Sequence, residues 1–312
     1  MTWQTVTTEP NALGESPFWH PQEQMLYWVD IVGKQILRAN ICLGTVETWD
    51  LPSEPGCIAP AARGGLVIAL RHGLFRATEW RGPLQYLATL GYNPAHMRAN
   101  DGKCDALGRF WVGTIDETKV ARNAALYSLD CRTGHPPRVE CKLGPDTLPA
   151  TTANGLGWSP DGRTLYWADT PSHTVHAWDF EVQGNTLSHH RTFAQFAPKP
   201  ADWSADLSLD NGGYRGRPDG AAVDRDGNYF VAMFEGRRIC QFAPNGTLLA
   251  EFPTPVQCPT MPCFGGEDLQ TLFITSARHG RRAAELEALP LSGCVFSMRV
   301  AVPGLPVNAF VD

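Results

Sequence analysis

Six times along the chain, a short apolar run, a polar turn and a second run alternating apolar with polar positions follow one another. The clearest copy spans 153–170, where Leu156 to Trp158 precede the turn Ser159-Pro160-Asp161-Gly162 and Thr164 to Ala168 follow it. Asp-Gly between two such runs predicts a β-hairpin. The second strands of the six hairpins are predicted at 25–30, 66–70, 109–114, 164–168, 228–233 and 271–275, a repeat of roughly 40 to 65 residues. A third strand follows each, at 34–40, 73–76, 124–130, 174–180, 237–242 and 294–300, and a fourth is visible at 45–51, 83–90 and 247–252. Helical periodicity is confined to one short segment, 281–289. The pattern predicts an all-β, six-bladed β-propeller with four-stranded antiparallel blades, using 1–312 as a single domain. Residues 2–8 alternate like a strand ahead of the first full blade and are expected to pair near 294–310, closing the ring and removing two exposed edges.

Composition narrows the function classes. A formal net charge of -6 argues against nucleic acid and anionic membrane as partners. No apolar run is long enough to span a bilayer, and the opening residues lack a basic segment followed by an apolar core. Nine cysteines without a CxxC pair read as reduced thiols of a cytoplasmic protein. A monomer or weak homo-oligomer is expected.

In a propeller, the first strand of every blade lines the central channel, so one fixed position along those strands converges on the axis. That position is held by Glu15, Ile58, Asn100, Asn154, Asp219 and Thr260. Two carboxylates and two amides in one small cavity would be costly unless a cation met them. The all-oxygen donor set suits a hard or borderline divalent ion. Glu15, Asn154 and Asp219 are the leading metal trio, leaving positions open for water or substrate. Calcium, zinc, manganese, iron and magnesium all remain open as the ion. Other chemistries lack their motifs: no Gly-x-Ser-x-Gly elbow, GxGxxG or Walker segment occurs. His173 and His176 are an odd number of residues apart and do not share one side of a strand. The segment 197–216, rich in Pro, Gly and Asp with Trp203 and Tyr214 embedded, is long enough to be either functional or disordered. Residues 113–117 lead into a polar loop to Asn123, a candidate lid.

Taken together, Gly14-Glu15-Ser16-Pro17, Arg98-Ala99-Asn100-Asp101-Gly102-Lys103, Gly113-Thr114, Asn154-Gly155-Leu156 and Pro218-Asp219-Gly220 form an ordered set. With Pro259-Thr260 and Phe264-Gly265-Gly266, the chain resembles the regucalcin/gluconolactonase/luciferin-regenerating family of six-bladed propeller lactonases along nearly its whole length. The resemblance implies that Glu15, Asn154 and Asp219 bind one divalent metal. It also implies that Arg98, Asn100 and Asp101 face a sugar-lactone substrate, with Glu117 or Asp116 as an acidic lid residue. The expected activity is gluconolactonase-like: metal-dependent hydrolysis of an aldono-1,4- or 1,5-lactone (glucono-, galactono-, xylono- or arabinonolactone) to the aldonic acid. Asp219 would take the proton of the attacking water, while Arg98 and Asn100 hold hydroxyls and developing charge. Two rivals are a phosphotriester or other ester hydrolase on the same scaffold and a non-enzymatic calcium- or sugar-binding propeller.

Overall fold

The computed structural model describes residues 2–132, 136–204 and 213–312. Among them, the strands assemble into six four-stranded antiparallel sheets. The innermost strands are Gly14–His20, Pro55–Pro60, Met97–Cys104, Ala153–Trp158, Arg217–Val223 and Pro259–Gly265, for blades one to six. Five blades are built from consecutive strands. In the sixth, the outer strand is Gln4–Thr5, which pairs antiparallel with Phe296–Arg299. The backbone N–H of Val6 extends this closure by donating to Val295 O at 2.8 Å. The ring is therefore fastened by its own N-terminal segment, as the alternation at 2–8 leads one to expect.

Predicted and observed second strands agree within one or two residues: Met25–Asp30, Leu66–Leu70, Phe110–Asp116, Thr164–Asp169, Tyr229–Phe234 and Thr271–Ser276. The short helix is Ala283–Ala288. Among the described residues, no helix is long and apolar enough to cross a membrane. All nine cysteines are free. Residues 205–212, within the long segment 197–216, lie outside the described residues.

Alternation along each strand buries one face against the blade before and the other against the blade after. The apolar core is accordingly divided into six layers, each between two neighbouring blades. Trp111 of blade three and Trp167 of blade four share one layer, and Trp28 of blade one packs with Phe273 of blade six in another. Near the axis the blades approach so closely that a side chain does not fit. A Cβ on Gly102 would collide with Cys57 Sγ and the Trp111 carbonyl, and one on Gly220 would lie 2.5 Å from Met261 Cβ. Asp101-Gly102 and Asp219-Gly220 thus look like turn dipeptides but serve close packing within strands.

Candidate functional site

Every inner strand is interrupted near its start by a register shift. The shifts lie between Glu15 and Phe18, Pro55 and Cys57, Ala99 and Gly102, Asn154 and Gly157, Pro218 and Ala221, and Pro259 and Pro262. Bulges of this kind bend a strand and re-aim its side chains. Two forms occur. In blades one and four, Glu15 and Asn154 hold the last regular pair, and the next residue is left-handed: Ser16 at φ 50 and Gly155 at φ 62. In blades three, five and six, Asn100, Asp219 and Thr260 are themselves the first residues after the last regular pair. Five of the six predicted positions are therefore staggered by one residue between the two forms, whereas Ile58 of blade two lies beyond its shift in a regular pair with Ile68, so the predicted series misplaces that blade.

Ser16 in this conformation is strained, since a left-handed L-residue costs about 1–2 kcal/mol. Its hydroxyl ties it down by accepting from Ile58 N at 3.0 Å in blade two. Pro17, lacking an N–H, removes one backbone donor that the bulge would otherwise have to satisfy. Ahead of Glu15 and Asn154, two buried aspartates brace the chain. Asp30 accepts from Ala12 N (2.8 Å) and Leu13 N (3.0 Å). Asp169 accepts from Thr151 N (3.0 Å) and Thr152 N (3.1 Å). Both end a pentad of one pattern, Leu26-Tyr27-Trp28-Val29-Asp30 and Leu165-Tyr166-Trp167-Ala168-Asp169, which differ only at the fourth position.

The site residues are buried: Glu15, Arg98, Asn100, Asp101, Asn154 and Asp219 all lie below a tenth exposed. Asn100 Nδ2 donates to Asn154 Oδ1 at 2.8 Å, joining blades three and four. Asn154 Nδ2 donates to Thr170 Oγ1, and Arg98 donates to Asn100 Oδ1, each at 2.8 Å. Asp101 turns toward blade four, where its Oδ2 accepts from Leu156 N at 2.9 Å and its Oδ1 has no partner. Lys103, also on the axis, donates to Leu156 O at 2.9 Å and to Ala221 O.

Among the described residues, Glu15 and Asp219 have no ion-pair partner in contact. Burial, then the charges of Asp219 and Asp101, pushes the Glu15 carboxyl well above the usual range, with Arg98 opposing. Burial and the Asp101 charge do the same to Asp219, opposed by Arg217 and Arg98. Two buried carboxylates without an ion-pair partner, with the amides of Asn100 and Asn154 buried on other inner strands, form a donor set whose chemistry fits an oxygen-seeking divalent cation. No three His, Cys, Asp or Glu side chains meet at one point among the described residues, so any such site here is a mixed carboxylate and amide one.

Of the two acidic lid candidates, Glu117 is the one that reaches the site. Its carboxylate lies 3.4 Å from Arg98 Nε and 2.8 Å from Arg71 NH1. Asp116 instead caps its own turn, accepting from Thr118 N and Oγ1. His173 bonds the Tyr214 hydroxyl at 2.8 Å and His176 meets His190 at 3.0 Å, so the two histidines do not pair. Sequence reading passed over Arg217, Asp30 and Asp169. Arg217 stands two residues before Asp219 as Arg98 stands two before Asn100, and the repeated pentads were the signal for the aspartates.

The family model described as SMP-30/Gluconolactonase/LRE-like region matches residues 13–278. A 6-deoxy-6-sulfogluconolactonase of Pseudomonas putida is 39% identical over 306 residues, covering 97% of this chain and 96% of that protein. Regucalcin of Danio rerio is 32% identical over 310 residues, covering 98% and 97%. Among solved structures, a regucalcin from Agrobacterium tumefaciens described as calcium-binding superposes with a TM-score of 0.87 at 22% identity, covering 99% of this chain and 97% of its own. A luciferin-regenerating enzyme superposes at 0.85 and 23% identity, covering 100% and 99%. At those identities the two structures bear on the fold.

Proposed function

The chain belongs to the SMP-30/gluconolactonase/LRE-like family and is a gluconolactonase-like enzyme; we propose that it is a metal-dependent sugar lactonase that opens an aldono-1,4- or 1,5-lactone to the aldonic acid. The observation that carries this reading is the pair of buried carboxylates without ion-pair partners, Glu15 and Asp219, near enough for the Asp219 charge to act on Glu15, with Asn100 and Asn154 buried on other inner strands and hydrogen-bonded to each other. Glu15, Asn154 and Asp219 would hold one divalent ion. When bound, such an ion supplies charge neutralisation and Lewis-acid polarisation.

The chain's own residues account for the rest. Asp219 accepts the proton of the attacking water as its oxygen bonds the lactone carbonyl carbon. The ring C–O bond then breaks, and the same proton passes to the departing ring oxygen. Arg98, held by Asn100 and Glu117, presents its guanidinium to the sugar and to negative charge developing on the carbonyl oxygen. Asn100 orients Arg98 on one side and Asn154 on the other. Burial keeps these contacts away from bulk water, where they would be weaker.

The name of the Pseudomonas relative specifies a gluconolactone with a sulfonate on carbon six, so lactones substituted there belong in the test beside glucono-, galactono-, xylono- and arabinonolactone. The experiment is acid release from that panel by chelated protein, with each divalent metal added back. Metal-restored hydrolysis of at least one lactone supports the proposal. Metal binding without turnover of any lactone would replace it with the reading of a non-enzymatic calcium- or sugar-binding propeller.

A further inference from the structure

The rim of the channel is electrostatically lopsided. On the side of blades two and three, Arg71 and Arg98 meet Glu54 and Glu117, two cations against two carboxylates. On the side of blades four to six, three cations meet two carboxylates. Lys199 Nζ lies 2.6 Å and Arg217 NH2 3.4 Å from the same oxygen of Glu235, while Arg281 lies 3.1 Å from its other oxygen and 2.5 Å from Glu285. Among the described residues of this cluster, three cations stand against two carboxylates, one positive charge more than the blade-two and blade-three side carries.

That surplus is held in place. Lys199 Nζ sits 4.0 Å from the centre of the Trp203 ring and 5.6 Å from that of Tyr214. Stacking of this kind fixes an ammonium that would otherwise sweep freely. Arg217 differs from its counterpart in blade three. Arg98 spends its donors on Ala99 O at 2.9 Å and Asn100 Oδ1 at 2.8 Å, whereas the Nε of Arg217 is buried with no partner. A buried guanidinium donor without an acceptor is costly unless a ligand completes it. Arg217 is also near enough to Asp219 for its charge to act on that carboxyl.

We propose that Arg217 and Lys199 form a subsite for an anionic substituent on the lactone, at the end remote from its carbonyl. The inference rests on the lactonase reading above and adds a substrate class to it. Arg217 precedes Asp219 by two strand residues, a span of about 6.6 Å, comparable to a six-carbon lactone from its carbonyl to its terminal carbon. A lactone whose carbonyl lies against Asp219 therefore extends its far end to Arg217. A forked guanidinium beside an ammonium matches a sulfonate, phosphate or carboxylate on that carbon.

The test compares kcat/KM for glucono-1,5-lactone with that for its 6-sulfo, 6-phospho and 6-carboxy analogues, the three arms identifying the anion. The wild-type protein is expected to prefer at least one anionic lactone by tenfold or more at low salt, the preference shrinking as ionic strength rises. Arg217→Met and Lys199→Met should each reduce that preference by about 10- to 100-fold, and Lys199→Arg should keep it. Lys199 lies on a loop, so its variants remain informative if Arg217→Met fails to fold. Arg71→Met, on the neutral rim, should leave the ratio of the two rates unaltered. A wild-type ratio near one, with the neutral lactone hydrolysed, overturns the subsite alone. Equal losses on both lactones in the Arg217 and Lys199 variants would reduce the cluster to a structural ion network and overturn it too. Hydrolysis of no lactone at all removes the lactonase reading and the subsite together.

Discussion

Replacing Asp219 by Asn should lower activity and raise the stability of the metal-free fold at once. In the unfolded chain a carboxyl ionises near pH 4. In the folded chain, burial and the Asp101 charge hold Asp219 well above that, and Glu15 is held up in the same way. Such groups contribute their full stability only below the unfolded pKa and lose it as pH rises through the folded one. At neutral pH the metal-free protein therefore carries two carboxyls that oppose folding. Asn keeps the shape of Asp219 and removes one of them. Relief of a buried, unpaired charge is worth about 2–4 kcal/mol. With unfolding entropy near 2.1 cal/mol/K per residue over 312 residues, each kcal/mol moves Tm by about 1.5 °C, so chelated Asp219→Asn should melt about 3–6 °C above chelated wild type at pH 7.5. The gain should vanish near pH 4. Added metal should raise Tm of the wild type far more than that of the variant, and lactone hydrolysis should fall by about a hundredfold or more, roughly 2.7 kcal/mol. Calorimetry in chelator and in metal, with acid release measured on the same samples, decides it. A chelated variant that melts below wild type would refute the claim that the buried Asp219 carboxyl opposes folding at neutral pH; full metal-dependent turnover would refute its proposed role.

Other outcomes follow from the same geometry. Gly155→Ala should lower Tm by about 3–6 °C, because Ala at φ 62 is strained and its Cβ would strike the Tyr229 hydroxyl; thermal melts check this. Asp169→Ala strips the acceptor from Thr151 and Thr152 N–H ahead of Asn154, and steady-state kinetics should show about a tenfold fall in kcat/KM, from a bond worth about 1.5 kcal/mol. His176, pushed down to about 4 by burial and then by the His190 charge, stabilises the fold fully above its unfolded pKa near 6.5. That contribution is lost as pH falls from 6.5 toward 4, so Tm measured over this range should decline less steeply in His176→Gln.

The blades were legible because their turns are local: Ser159-Pro160-Asp161-Gly162 and its counterparts lie within a few residues of the strands they join. Position along the inner strands was legible for Glu15, Asn154 and Asp219, which all fall at a bulge, but not for Ile58, which lies past the bulge of blade two in a regular pair with Ile68. What local pattern does not encode is contact between blades. Asn154-Gly155 and Asp219-Gly220 carry turn chemistry, yet the first is a left-handed bulge residue pressed on Tyr229 and the second a close approach to Met261. The one-residue stagger between the two bulge forms has the same origin, because it depends on partners such as Ile58 for Ser16, 42 residues away. Arg217 escaped notice because its meaning lies in Lys199, Glu235 and Arg281, from three other segments.

Fastening the sixth sheet with Gln4–Thr5 also sets a timetable for biosynthesis. The partner of Gln4 is Ser297, so a nascent chain growing at about 5–20 residues per second must keep its leading strand unpaired for roughly 15–60 s. Five sheets can form on the ribosome during that interval, but the circle cannot lock until Ser297 has left the ribosome. A fusion partner or tag that restrains the first residues would act on this last step, delaying maturation of the enzyme while leaving its finished architecture intact.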